Sequence, residues 1–179
     1  VQAAADWLAD KMRSAGLDSV EQFVIDEHHP IVYGEWLGAG DDAPTVLIYG
    51  HYDVQPAALE DGWDTYPFEP VVKDGKLYAR GASDDKGQMF AQLKAVEALL
   101  KTDSCPVNVK FVAEGEEEIS SGGLTKFVPA NAEKLAADVC VISDTSILGE
   151  DQPRIVYSKR GNTYMEQDVT GPASDQHSG

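Results

Sequence analysis

The chain has 179 residues, with 14 Lys and Arg against 31 Asp and Glu, a formal net charge of −17 and a pI near 4.4. Hydrophobic residues make up 42% and charged residues 25%, the balance of a globular domain with a substantial core. So acidic a chain lacks the basic face that neutralises phosphates, which argues against nucleic acid, and apolar runs such as 45–49 and 137–142 are too short to cross a bilayer.

In chain order, Ala4, Leu8, Met12 and Ala15 fall on one helical stripe over residues 1–16, and Gly16 suits the stop of that helix. Segments 22–25 and 31–36 are β-rich, with a polar HHP turn at 28–30 between them. Residues 45–50 (TVLIYG) are β-branched and apolar on both faces, as in a strand buried centrally in a sheet. A long stretch over 51–75 follows, rich in Pro, Gly, Trp and Asp; a loop of that length is more often functional than idle, and Trp63, Tyr66 and Phe68 are expected to pack it down. A short strand over 76–80 leads into GASDDKG, and KGQMFAQLKAVEALLK (86–101) reads as an amphipathic helix. Then come a strand over 107–113 running into EGEEEISSGG, helical sequence over 124–136, and a buried strand over 138–143 (DVCVIS) that ends at Asp144 and holds Cys140 as inert core.

Strands alternating with helices predict an α/β fold, with a mostly parallel sheet and flanking helices. Beyond Gln152 the character changes: 154–157 and 163–169 read as alternating strands around a KRGN break, where a chain leaves one domain for another. The final SDQHSG has no element to finish it, so the sequence reads as the N-terminal fragment of a longer protein. Cys105 and Cys140 are too few for a disulfide framework and form no CxxC pair, so a reducing, cytoplasmic setting is expected.

Four predicted strand ends carry acids or histidine: His51 and Asp53, then Asp84 and Asp85, then Glu114 and Glu116–Glu118, then Asp144. Each alone suits a solvated turn. In an open parallel sheet, however, ligands bind beyond the carboxyl ends of the strands, so the four sets can converge. Clustered carboxylates repel unless something positive sits among them, and Lys86 and Arg80 are the only cations nearby in sequence. A histidine with several carboxylates is a metal-ligand set that suits Zn²⁺, Mn²⁺ or Co²⁺ better than Ca²⁺ or Mg²⁺. Asp53, two residues beyond His51 in extended chain, can accept from the second ring nitrogen and fix its tautomer.

The segments GHYDVQP (50–56), YARGASDDKG (78–87), EGEEEISSGG (114–123) and VISD (141–144) resemble the metal-site motifs of the M20 metallopeptidase family, most nearly its carnosinase-like dipeptidase branch. SDQHSG (174–179) is similar to the D-x-H-S-G element of that family's lid, or dimerisation, domain. The resemblance implies part of a phosphorylase/hydrolase-like zinc-peptidase catalytic domain over residues 1–160 and the start of an α+β lid over 161–179. It further implies two divalent ions, Zn²⁺ first with Mn²⁺ or Co²⁺ as alternatives. Asp84 would bridge both ions, His51 and Asp144 would complete the protein ligands of one, and Glu118 would bind the other. Glu117 would be the general base and acid, and Asp53 would orient His51. A cis peptide is implied at Asp84–Asp85, a rarity outside X–Pro bonds. His177 would contact substrate in a partner subunit of a homodimer; its bland reading is a surface-turn histidine.

The implied activity is hydrolysis of an amide bond in dipeptides or small peptides, through a water activated by two metals and Glu117. The alternatives are an N-acyl-amino-acid deacylase of the same family and a catalytically incomplete metal-binding fragment. Two departures from the family pattern stand out. The chain reads Ile-Ser-Ser after the acidic run where a glycine is common, and none of His28, His29 or His177 stands in the context of the family's late metal-binding histidine. The fragment alone is therefore expected to be inactive.

Overall fold

In the computed structural model, Gly16 takes a φ of 100°, and the N–H groups of Gly16 and Leu17 bond back to the carbonyls of Arg13 and Met12. This left-handed cap, which glycine adopts without steric penalty, closes helix α1 (Gln2–Ala15). The structure describes residues 1–152, 154–158, 161 and 163–167. The buried stripe of α1 is Ala5, Leu8, Ala9, Met12 and Ala15, with Ala4 at its margin.

The strands are β1 (Glu21–Phe23), β2 (Ile31–Trp36), β3 (Thr45–His51), β4 (Val71–Lys73), β5 (Lys76–Tyr78), β6 (Asn108–Glu114) and β7 (Val139–Ile142). Five of them form the main sheet in the order β1-β2-β6-β3-β7. β3 runs parallel to both β6 and β7, while β1 and β2 add an antiparallel edge. Helix α2 (Lys86–Lys101) connects β3 to β6, and α3 (Gly122–Ala130) with α4 (Ala132–Leu135) connects β6 to β7, giving the expected α/β class.

Alternation along the strands divides the core in two. Val32, Ile48, Phe111 and Ala113 pack with Leu8 and Met12 of α1 and Met89, Leu93 and Val96 of α2. Ile31, Tyr33 and Val112 point the other way and pack with Phe127 of α3 and Leu135 of α4.

Three expectations need correction. The strand expected at 76–80 does not join the main sheet: β5 pairs with β4 in a separate hairpin and is exposed. Its turn is Asp74-Gly75, with φ values of 51° and 76°, and a D-G pair between VVK and KLY is a hairpin signal in its own right. Among the described residues β7 is an edge strand of the sheet, and Cys140 is exposed with it instead of lying in the core. An apolar run marks a strand, but it does not say whether that strand lies at the centre or the edge of the sheet. Lastly, described residues 154–158 and 163–167 contain no strand.

The chain divides into two compact units, Val1–Ser146 and Ile147–Gly179. Within the second, a tight turn bridges Gly149 and Gln152, with the Leu148 N–H donating to the Gln152 carbonyl at 3.2 Å. The SDQHSG element, with His177, lies outside the described residues. No helix among the described residues is long and apolar enough to cross a membrane.

Candidate metal centre

Because β3 is parallel to both of its neighbours, three strand ends open on the same side. His51 ends β3 fully buried, in register with Glu114 at the end of β6, and Asp144 follows β7 by two residues. Asp84 and Asp85 arrive differently from the sequence expectation. They stand at the N-terminus of α2, beyond an exposed hairpin, joined by the expected cis peptide bond.

His51 Nε2 lies 3.0 Å from Asp84 Oδ1 and 3.9 Å from Asp144 Oδ2, and ligand atoms of the three residues fall within 4.8 Å of one another. On the other side of the ring, Nδ1 lies 3.2 Å from Asp53 Oδ1. An ionised Asp53 can only accept, so Nδ1 carries a hydrogen and Nε2 is left facing two carboxylates. That arrangement requires a positive charge between them, either a proton on Nε2 or a cation. One imidazole nitrogen with carboxylate oxygens fits a divalent ion of the Zn²⁺, Mn²⁺ or Co²⁺ type.

The proton is held firmly. Burial pulls the His51 pKa down, but the Asp53 hydrogen bond and the charges of Asp53, Asp85 and Glu117 outweigh it and raise the value to about 9. In the metal-free protein, this charged pairing supports the fold fully below the unfolded value of about 6.5 and is lost as pH rises through about 9. A divalent ion must displace the proton, so its affinity is expected to climb roughly tenfold per pH unit across the same window. Calorimetric titration at pH ~7.5 in buffers of different ionisation enthalpy should show about one proton released per ion bound at His51. No proton release would mean that His51 is not a ligand.

The surrounding groups are arranged around this pair. Burial would lift Asp53, yet the hydrogen bond from His51 and the Glu118 N–H hold it below the usual carboxylate range, so it stays ionised. Asp85 is completely buried: Oδ2 accepts the His51 N–H at 3.2 Å, Oδ1 has no partner, and burial raises its pKa to about 6. Gly50 is needed for this approach, because a Cβ there would sit 2.8 Å from Asp85 Oδ2 and 2.9 Å from Met89 Cγ.

The three consecutive glutamates are sorted by their partners. Glu116 points away from the cluster and is nearly buried, accepting from the N–H groups of His29 and Gly123 at 3.0 Å each and pairing with His28 Nδ1 at 2.9 Å. These contacts outweigh its burial and hold its pKa below the usual range. The HHP turn therefore walls the acidic loop. Glu117 and Glu118 open a single 3₁₀ turn (Glu117–Ile119) whose first two N–H groups donate to Asp53, at 3.3 Å to Oδ1 and 3.1 Å to Oδ2. Burial chiefly, with repulsion from Asp144, Glu118 and Asp53, raises the Glu117 pKa against the attraction of His51. Glu118 lies outside the His51, Asp84 and Asp144 group; its Oε2 accepts from Gln55 Nε2 at 3.0 Å.

Further residues complete the site. Glu114 is buried, takes hydroxyl hydrogen bonds from Tyr49 at 2.7 Å and Ser121 at 2.8 Å, and keeps one oxygen unpartnered. Ser120 and Ser121, with φ values of 80° and 54°, take the left-handed backbone that glycine adopts most readily. The Tyr52 hydroxyl donates to the Pro30 carbonyl, tying the chain between His51 and Asp53 to the HHP turn. The aromatics of the long loop serve it unevenly: Arg80 lies over Trp63 at 5.4 Å, while Tyr66 and Phe68 are half exposed.

The family model described as peptidase family M20/M25/M40 matches residues 47–174. The chain is 46% identical over 154 residues to the Cys-Gly metallodipeptidase dug1 of Schizosaccharomyces pombe, covering 84% of this chain and 32% of that protein. It is 41% identical over 184 residues to the beta-Ala-His dipeptidase of Mus musculus, covering 96% of this chain and 37% of the relative. Among solved structures, the dipeptidase Dug1p of Saccharomyces cerevisiae matches with a TM-score of 0.71 at 32% identity, over 81% of this chain and 33% of its own. The chain thus spans about a third of the length of the curated relatives it matches.

Proposed function

We propose, for a chain that belongs to peptidase family M20/M25/M40, that it carries the metal-binding part of a dipeptidase acting on dipeptides or small peptides. The observation that carries this reading is the convergence of His51, Asp84 and Asp144 within 4.8 Å, with Asp53 on the far ring nitrogen. His51, Asp84 and Asp144 would hold one divalent ion, and Asp84 with Glu118 would hold a second, Zn²⁺ first and Mn²⁺ or Co²⁺ as alternatives. Ions bound there would supply Lewis acidity, polarising the scissile carbonyl and lowering the pKa of water.

The chain's own residues do the remaining work. Glu117, an acid whose pKa is raised by its surroundings, takes the proton of the attacking water and passes it to the leaving amine. Asp53 stays ionised, holds the His51 tautomer and seats the backbone of the acidic turn. His177 would reach substrate in the partner subunit's active site, from a lid domain that begins near residue 161 and makes the homodimer. Free Cys105 and Cys140 suit a reducing, cytoplasmic setting.

The test is a substrate comparison on the complete protein loaded with Zn²⁺ or Mn²⁺. Cys-Gly and beta-Ala-His are expected to be cleaved at least tenfold faster than N-acyl amino acids. The reverse preference would support the deacylase alternative.

A further inference from the structure

The 3₁₀ turn that presents Glu117 and Glu118 satisfies itself only in part. Its internal hydrogen bonds use the carbonyls of Glu116 and Glu117, which accept from the N–H groups of Ile119, Ser120 and Ser121. Asp53 takes the N–H groups of Glu117 and Glu118. The carbonyl and side chain of Glu118 fall to Gln55, two residues beyond Asp53. Gln55 Nε2 donates to the Glu118 carbonyl at 3.1 Å and to Glu118 Oε2 at 3.0 Å. Both acceptors are oxygens without a hydrogen, so the amide nitrogen must face them; the flipped amide would set oxygen against oxygen.

Residues 53–55 therefore grip Glu118 at three groups: its N–H, its carbonyl and one carboxylate oxygen. A carboxylate with one oxygen so held has a single free oxygen and a defined direction in which to offer it. Without the grip, this partly exposed side chain would sample several rotamers, and the repulsion that Glu118 exerts on Glu117 would favour those that turn it away from the acidic cluster.

We infer that Gln55 is a positioning residue that orients Glu118 as a ligand of the second divalent ion. This rests on the proposed two-ion reading. Gln55 is exposed and makes its contacts across 63 residues of sequence, so it contributes little to folding and acts on the ion through Glu118. An amide that holds a metal-binding carboxylate is worth about ten- to hundredfold in metal affinity.

The test is a Mn²⁺ titration of the complete protein, wild type and Gln55→Leu, followed by calorimetry and by the exchange-coupled electron paramagnetic resonance signal of paired Mn²⁺. Wild type should bind two ions. Gln55→Leu should weaken one of them about ten- to hundredfold, lose the coupled signal at limiting Mn²⁺, and keep the other ion's affinity and the melting temperature of the metal-free protein. Gln55→Glu, which sets a carboxylate against Glu118, should show the same loss or a larger one. Two wild-type ions with both affinities unchanged in Gln55→Leu would overturn the role of Gln55 and leave the two-ion reading standing. A lowered metal-free melting temperature with unchanged affinities would show a merely structural role. A wild type that binds one ion would overturn the two-ion reading and this inference with it.

Discussion

Glu117→Gln is expected to lower kcat by about 10²–10⁴-fold while leaving the metal content of the protein unchanged. The amide matches the carboxylate in size, so the 3₁₀ turn and the Asp53 hydrogen bonds to its backbone are kept. It cannot take up a proton, which removes the shuttle between water and leaving amine. The neighbouring glutamates make the comparison informative. Glu118→Gln should lose metal. Glu116→Gln should act on stability, by about 1–3 kcal/mol, because a nearly buried carboxylate loses charge-assisted bonds to His28, His29 and Gly123. Metal content read by plasma emission, kcat with a dipeptide, and denaturant midpoints separate the three. A Glu117→Gln enzyme within tenfold of wild type would remove Glu117 from the chemistry, and metal loss in that variant but not in Glu118→Gln would move both assignments by one residue.

Asp84→Ala is expected to remove most of the stabilisation that divalent ions confer. For the wild type, an ion present at about a thousand times its dissociation constant adds about 4 kcal/mol. For a chain of this size that is a rise in Tm of roughly 8–16 °C. Asp84 faces His51 Nε2 at 3.0 Å and is expected to serve both ions, so its removal should leave a rise of less than roughly a quarter of that. Its side chain is 61% exposed, so the metal-free variant should melt within a few degrees of the metal-free wild type. Differential scanning calorimetry with and without chelator reads both arms. An undiminished metal-induced rise in Asp84→Ala would show that the ion sits elsewhere.

Much of the site is legible in four short motifs, because chemistry carried by residue type survives without coordinates. His51 with Asp53 two residues on reads as a histidine with its orienting carboxylate, and the structure sets them 3.2 Å apart. The division of labour among Glu116, Glu117 and Glu118 is different. All three are identical in type, and only the partners brought from other segments tell them apart: His28 and His29 for the first, Asp53 for the backbone of the other two, and Gln55 for the last. Gln55 stands within GHYDVQP, yet nothing local marks it, because its contacts lie 63 residues away. Asp85 reads as one more acid at a predicted strand end and proves to be fully buried against the His51 backbone at the start of α2.

The sequence by itself determined the α/β class, the helices over 2–15 and 86–101, the strand that ends in His51, and the set of residue types that suit a divalent ion. These follow from periodicity and side-chain chemistry, which act over a few residues. Only the tertiary structure decided that β5 leaves the main sheet for a hairpin, that β7 lies at the edge of the sheet among the described residues, and that Asp84 and Asp85 reach the centre from the start of α2. Strand order and side-chain partnership depend on which distant segments pack together. A run such as DVCVIS or EGEEE reads the same whichever neighbours it meets.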